Sequence, residues 1–186
     1  MIPSILLMGI KHTGKTYLGK KLAETMNRQF YDLDDIIVSI YRERVPEAAD
    51  VTCRTIYSSH GREYFQALEA AGAARLKNSI QKDQAVTAAL GGGIISNPDA
   101  LETIRNAGFK VVLTAQPEEL FKRIARRGIP PFLEGPDPYG QFLELFNRRT
   151  EGYASIADCV VDCTGLGLKE SFSLLITTLK GEGIAR

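Results

Sequence analysis

Residues 9–16 read Gly-Ile-Lys-His-Thr-Gly-Lys-Thr, and this stretch decides the fold. It follows an apolar run at residues 4–8 and opens a stretch of helical periodicity at residues 15–26, as a glycine, four residues and Gly-Lys-Thr do in a phosphate-binding loop. The glycines let backbone amides converge on phosphate oxygens, and the positive end of the helix points at the same place. A glycine-bearing turn with a surface lysine is the structural alternative. The strand-loop-helix context favours ATP or GTP binding.

The side chains of this loop predict how a triphosphate is held. Lys15 brings a full charge to the β and γ phosphates, and Thr16 offers a hydroxyl to Mg²⁺, which prefers oxygen ligands. His12 lies inside the loop and receives no catalytic role. We expect the nucleotide to contact a continuous set of residues: Lys11, His12, Thr13, Gly14, Lys15, Thr16 and Tyr17.

Short apolar runs typical of buried strands alternate with helical periodicity along the chain, which indicates an α/β fold on a parallel sheet. Strands are predicted at residues 4–8, 29–32, 85–90, 110–114 and 159–162. Helices are predicted at residues 15–26, 36–41, 62–79, 100–107, 119–127, 142–149 and 168–179. The helix at 100–107 is predicted to start with Asn97 as its cap and Pro98 at its first position. The expected architecture is a three-layer fold of the P-loop NTPase type, a five-stranded parallel sheet flanked by helices. A chain of 186 residues predicts one domain, residues 1–186.

Composition excludes several classes of protein. Hydrophobic residues make up 44% and charged residues 24%, with a net charge of +1, so we expect no nucleic-acid or membrane partner. Residues 1–9 lack the basic flank and long apolar stretch of a secretory signal, which predicts a cytoplasmic protein. As a separate expectation, the protein is a monomer. Three cysteines and two histidines favour neither a disulfide framework nor a zinc site.

Acidic residues follow the second predicted strand. Asp32 and Asp34 point the same way on an extended chain, at the sheet edge where open α/β folds bind ligands. One carboxylate would hold the magnesium shell while the other orients or deprotonates an alcohol. The structural alternative is an acidic cap on the next helix, a role we expect for Asp35.

Residues 128–140 contain four prolines and three glycines and are not expected to form a regular element. Long irregular segments in small domains are often functional, which predicts a lid at residues 123–140. A surface connection without function is the alternative.

Taken together, these segments resemble the shikimate kinase family over nearly the whole chain. The resemblance rests on the phosphate loop and its helix (residues 9–23), Asp-Leu-Asp (32–34), Gly-Arg-Glu-Tyr-Phe (61–65) with Glu69, Leu-Gly-Gly-Gly (90–93), Arg149 with Tyr153 and Ala-Asp (157–158), and Val-Asp-Cys-Thr (161–164). It implies ATP-dependent phosphorylation of the 3-hydroxyl of shikimate, with Mg²⁺.

The resemblance also implies roles for single residues. Lys15 and Asp34 would be catalytic, Asp34 would also contact substrate hydroxyls, and Thr16 and Asp32 would hold Mg²⁺. The acceptor would be lined by Gly91, Gly92 and Gly93 and its carboxylate bound by Arg149, for which a two-pronged cation is well suited. Arg123 would lie against adenine, although a solvated basic face with Lys122, Arg126 and Arg127 is the alternative.

Two positions depart from the family pattern. Gln66 and Pro130 stand where the family has a pocket arginine and a lid arginine. Nearby cations that would replace these charges are Arg62 for the pocket, and Arg126, Arg127 or Lys11 for the lid. A kinase for another small hydroxylated acid, such as gluconate, and a nucleotide-binding regulatory domain without chemistry therefore remain alternatives.

Overall fold

The computed structural model describes residues 3–48, 50–83, 85–126 and 128–185. A five-stranded parallel sheet with the order β2-β3-β1-β4-β5 forms its centre. The strands are β1 (Ile5–Met8), β2 (Gln29–Asp32), β3 (Val86–Ala89), β4 (Phe109–Thr114) and β5 (Cys159–Asp162). The predicted α/β class is confirmed, and β2 and β5 have the predicted bounds.

Helices cover both faces of the sheet. They are α1 (Lys15–Thr25), α2 (Leu33–Arg44), α3 (Cys53–Asp83), α4 (Pro98–Ile104), α5 (Pro117–Ala125), α6 (Pro138–Ala154) and α7 (Leu168–Gly181). Two short 3-10 turns occur at Ile94–Ser96 and Pro131–Leu133. Among the described residues, no helix is long and apolar enough to cross a membrane.

The central strand β1 separates two apolar cores. Its side chains alternate between faces, as the pleat of a strand requires. Leu6 and Met8 pack with residues of α2, α3 and α4, whereas Ile5 and Leu7 pack with residues of α1 and α7. All four are fully buried, so β1 fixes the start of the phosphate loop rigidly.

The starts of two helices differ most from the prediction. Helix α3 begins at Cys53, nine positions before the predicted start at residue 62, and it kinks at Gly61, where φ is 79° and ψ is −176°. Helix α6 begins at Pro138, inside the segment predicted to be irregular, because Asp137 accepts a hydrogen bond from the Gly140 amide (2.9 Å) and caps it. Irregular backbone is therefore confined to a shorter stretch than predicted.

Candidate functional site: a cleft at the carboxyl edge of the sheet

The carboxyl ends of β1, β2 and β3 open into one cavity of about 1080 Å³. Its walls come from the phosphate loop, the start of α3, the glycine turn after β3, helix α6 and the lid segment, which we define as residues 128–133. Every site residue predicted from the sequence lines this cavity: Lys11, His12, Thr13, Gly14, Lys15, Thr16, Tyr17, Asp32, Asp34, Gly91, Gly92, Gly93, Arg123 and Arg149.

The phosphate loop is closed by its own hydrogen bonds. The buried hydroxyl of Thr13 donates to the Ile10 carbonyl oxygen (3.0 Å), and the ammonium of Lys15 donates to the same oxygen (2.9 Å). Gly14 caps α1 with φ 90° and has no side chain to cover the first amides of the helix. The loop therefore presents amides, a cation and a helix N-terminus to the cavity.

The electrostatics of Lys15 follow from its half-buried position. Burial lowers the pKa of Lys15 to about 8, while the nearby carboxylates of Asp34 and Asp32 oppose that shift. The side chain is therefore mostly charged at neutral pH, and an added phosphate would favour its charged form further.

Asp32 has two contacts, one for each carboxylate oxygen. Its Oδ1 accepts from the Asp34 amide (3.0 Å) as the cap of α2, and its Oδ2 accepts from the Thr16 hydroxyl (2.7 Å). Asp32, not Asp35, is thus the helix cap, so the expectation for Asp35 is wrong. The hydroxyl and carboxylate oxygens of Thr16 and Asp32 are hard donors of the kind that Mg²⁺ selects, so this pair fits the predicted metal.

Asp34 also lines the cleft, and solvent reaches it through the cavity. Loss of solvation and the negative charge of Asp32 raise the pKa of Asp34, and the positive charges of Lys15 and Lys11 oppose the rise. A carboxylate with a raised pKa is better suited to accept a proton from an alcohol than an ordinary one.

The three glycines after β3 leave space that a side chain would fill. A Cβ on Gly91 would lie 3.2 Å from Asp34 Oδ1, and one on Gly92 would lie 3.1 Å from the Lys11 amide nitrogen. A Cβ on Gly93 would lie 3.6 Å from Nη2 of Arg149. The turn therefore runs between the phosphate loop, the carboxylate and the guanidinium, which is why a turn without side chains occurs here.

Arg149 projects from α6 toward this turn. Its Nε is buried and has no hydrogen-bond partner in the described part of the chain. Burial lowers the pKa of Arg149, opposed by Tyr153 and Glu69. One helical turn later, the Tyr153 hydroxyl donates to the Gly92 carbonyl oxygen (2.9 Å) and fixes α6 against the glycine turn. A buried guanidinium with an unpaired donor indicates an anion as its ligand.

A polar network beneath Arg149 was not predicted. Glu69 is 3% exposed and accepts from Asn97 Nδ2 (2.9 Å), and burial raises the pKa of Glu69. Asn97 was predicted as a helix cap, and its Oδ1 does accept from the Ala100 amide (3.3 Å). The sequence around Asn97 does not indicate its hydrogen bond to Glu69, because Glu69 is 28 positions away.

Gln66 uses its side chain in the same network. Its Nε2 donates to the Ser96 carbonyl oxygen (3.0 Å), and the main-chain carbonyl oxygen of Gln66 accepts from Asn97 Nδ2 (2.9 Å). The cations Lys11, Arg62 and Arg126 also line the cavity. Arg127, named above as a replacement charge, lies outside the described residues.

Arg123 braces the loop rather than facing solvent. Its Nη1 donates to the His12 carbonyl oxygen (3.1 Å), and its Nη2 pairs with Glu119. Glu119 Oε2 in turn accepts from the Gly165 amide (3.0 Å), which links the phosphate loop to the turn after β5. The predicted contact of Arg123 with adenine stays a prediction.

The chain has a parallel sheet of this order, a phosphate loop after the central strand and a second set of polar groups across the cavity. Together these features define a P-loop phosphotransferase of small molecules. The family model described as shikimate kinase matches residues 11–180. The chain belongs to the shikimate kinase family.

Individual relatives agree with this assignment. A shikimate kinase of Caldanaerobacter subterraneus subsp. tengcongensis is 33% identical over 170 residues, 90% of each chain. One of Symbiobacterium thermophilum is 32% identical over 183 residues, covering 97% of this chain and 98% of that one. The solved shikimate kinase of Acinetobacter baumannii, in complex with shikimate, superposes with a TM-score of 0.78 at 25% identity, covering 98% of this chain and 96% of that one.

Proposed function

We propose that this protein transfers the γ-phosphoryl group of ATP to the 3-hydroxyl of shikimate. The observation that carries the proposal is the buried Nε of Arg149, which lies across the glycine turn from Asp34 and lacks a hydrogen-bond partner in the part of the chain that the structure describes. One side of the pocket thus offers a cation for a carboxylate, and the other offers a carboxylate for a hydroxyl. A small hydroxylated acid has both groups, and shikimate is what the solved Acinetobacter relative holds.

The residues divide the reaction between them. Arg149 binds the acceptor carboxylate, and Asp34 orients the hydroxyl and takes its proton as the new oxygen–phosphorus bond forms. The bond between the γ-phosphorus and the β,γ-bridging oxygen breaks, and ADP leaves. Lys15 and the loop amides stabilise the charge on the phosphate oxygens throughout.

Mg²⁺ would be held through Thr16 and Asp32, whose oxygens are 2.7 Å apart. When bound, it neutralises charge on the phosphate oxygens of the nucleotide. Mg²⁺ usually keeps several waters and nucleotide phosphate oxygens as ligands, and these would complete its coordination here. Tyr17 and Arg123, which border the cavity beside the loop, complete the proposed nucleotide site.

The test is ADP release measured with and without shikimate in the presence of Mg²⁺ and ATP, with the phosphorylated product identified by ³¹P NMR. We expect release that depends on shikimate and saturates below millimolar concentration. No shikimate-dependent release at millimolar concentration would contradict the proposal.

A second candidate is a kinase for a different hydroxylated acid, such as gluconate. It is favoured by Gln66, whose amide binds Ser96 and contributes no charge to the pocket. Faster ADP release with gluconate than with shikimate would establish it. ATP binding in calorimetry with no phosphoryl transfer to either acid would instead indicate a regulatory domain.

A further inference from the structure

Arg54 joins two walls of the cleft that are distant in the sequence. It lies in the first turn of α3 and lines the cavity. Its Nη2 donates to the Ile129 carbonyl oxygen (3.0 Å) across 75 positions, and its Nη1 lies 3.7 Å from where a Cβ on Gly128 would be. The guanidinium therefore grips the main chain of the lid segment.

A second contact from the same helix face supports the first. Tyr57 follows Arg54 by three positions, a spacing that places both on one side of a helix. Its ring meets the ring of Phe132 edge to face at a centroid distance of 6.3 Å. Phe132 is 49% exposed, so the lid lies over the surface of the cleft, while Leu133 is buried and anchors its far end.

The helical segment that makes these contacts is set apart by the kink at Gly61. A Cβ at Gly61 would touch no described residue within 4 Å, so the glycine serves backbone geometry and not packing. On its other side the segment contacts Asp34, the proposed general base, because the Cys53 thiol donates to the Asp34 main-chain carbonyl oxygen (3.5 Å). The first turns of α3 thus lie between the lid and Asp34.

We propose that Arg54 is a positioning residue that holds the lid segment over the acceptor end of the cleft through the main chain of Ile129. The position of the lid segment over the cleft is then controlled from α3. It needs no charged side chain on the lid, where Pro130 is uncharged. The catalytic part of this inference rests on the proposed function, whereas the structural part does not.

The kinetic test compares Arg54→Met, Arg54→Lys and the wild type. Methionine keeps an apolar stem without a donor, while lysine can still donate to the carbonyl oxygen of Ile129. We expect Arg54→Met to lower kcat/KM for the acceptor about tenfold, the scale of one charged hydrogen bond, with ATP affinity unchanged within about twofold. Arg54→Lys should restore most of the loss. Equal losses in both variants, or none in either, would overturn the proposal.

A matched control is Arg105→Met, which removes an exposed arginine just beyond α4 that pairs with Glu102 away from the cleft. It should behave as the wild type.

The structural test is hydrogen exchange of peptides spanning residues 128–133 in the protein without ligands. We expect the amides of this segment to exchange about fivefold to tenfold faster in Arg54→Met than in the wild type or Arg105→Met. Unchanged exchange would overturn the proposal even in an active enzyme. If the wild type shows no acceptor-dependent ADP release, the proposed function fails while the exchange result still decides the role of Arg54.

Discussion

Replacing Arg149 by methionine should change binding and stability in opposite directions. In the protein without acceptor, the buried Nε of Arg149 has no hydrogen-bond partner among the described residues, and burial disfavours the charged form. Removing an unsatisfied buried polar group recovers a cost of about 1–3 kcal/mol, but the side chain is only partly buried and its attraction to the Glu69 carboxylate is lost with it. We therefore expect the free energy of unfolding to rise by about 1 kcal/mol, at the low end of that range.

Acceptor binding should be weakened by much more. Losing one partner of a buried, hydrogen-bonded charge pair costs about 2–5 kcal/mol, which is about 30-fold or more in affinity. Arg149→Lys keeps the charge without the two-pronged geometry, so its affinity should lie between the two. The free energy of unfolding comes from urea titration, and acceptor KM from ADP release at saturating ATP. Arg105→Met is again the control.

One pattern of results would refute this reasoning about Arg149. If Arg149→Met lowered the free energy of unfolding and left acceptor KM within about twofold of the wild type, Arg149 would be a structural residue. The buried Nε would then have some role other than anion binding.

Three further outcomes are expected. ATP affinity should fall as pH rises through about 8, because burial lowers the pKa of Lys15 to about 8 and the ammonium is mostly charged below that pH. Lys15→Arg should remove this pH dependence of ATP affinity, which calorimetry would measure. Asp34→Asn should lower kcat by about 10² to 10⁴ and leave ATP affinity intact, whereas the exposed Asp50→Asn should change neither; equal turnover of Asp34→Asn and wild type would exclude Asp34 as the base. Gly92→Ala should weaken ATP binding about fivefold or more, because its Cβ would approach the Lys11 amide nitrogen at 3.1 Å; unchanged affinity would mean that the loop shifts freely.

The parts of the fold that depend on local pattern could be predicted from the sequence. The phosphate loop combines glycine positions, a preceding apolar strand and a following helix within residues 4–26, and no distant contact is needed to recognise it. The predicted bounds of β2 and β5 are also correct, because each strand can be recognised from its local pattern without distant contacts. The cleft could be located because parallel strands place their carboxyl ends on one edge of a sheet.

The early start of α3 was missed although a local signal exists. Thr52 and Thr55 exchange side-chain to backbone hydrogen bonds, with Thr52 Oγ1 accepting from the Thr55 amide (3.2 Å) and Thr55 Oγ1 accepting from the Thr52 amide (2.9 Å). This reciprocal cap begins a helix in the manner of a capping box. Gly61 interrupts the apolar stripe, so the sequence does not show that the helix continues across residue 61. Similarly, the Asp137-Pro138 start of α6 repeats the Asn97-Pro98 pattern that predicted α4.

The acceptor side of the site depends on contacts that no local pattern contains. A glutamine at position 66 shows in the sequence only as a missing charge, whereas in the fold its side-chain amide donates to the Ser96 carbonyl oxygen and its main-chain carbonyl oxygen accepts from Asn97. The side-chain bond holds the main chain directly before Asn97, and Asn97 donates to the buried carboxylate of Glu69 near Arg149. An arginine introduced at position 66 would have to break the bond to Ser96 before it reached the acceptor. The Gln66 side chain is therefore part of the polar network beside Arg149, and we expect the affinity for a carboxylate to depend on this network as well as on the number of cations.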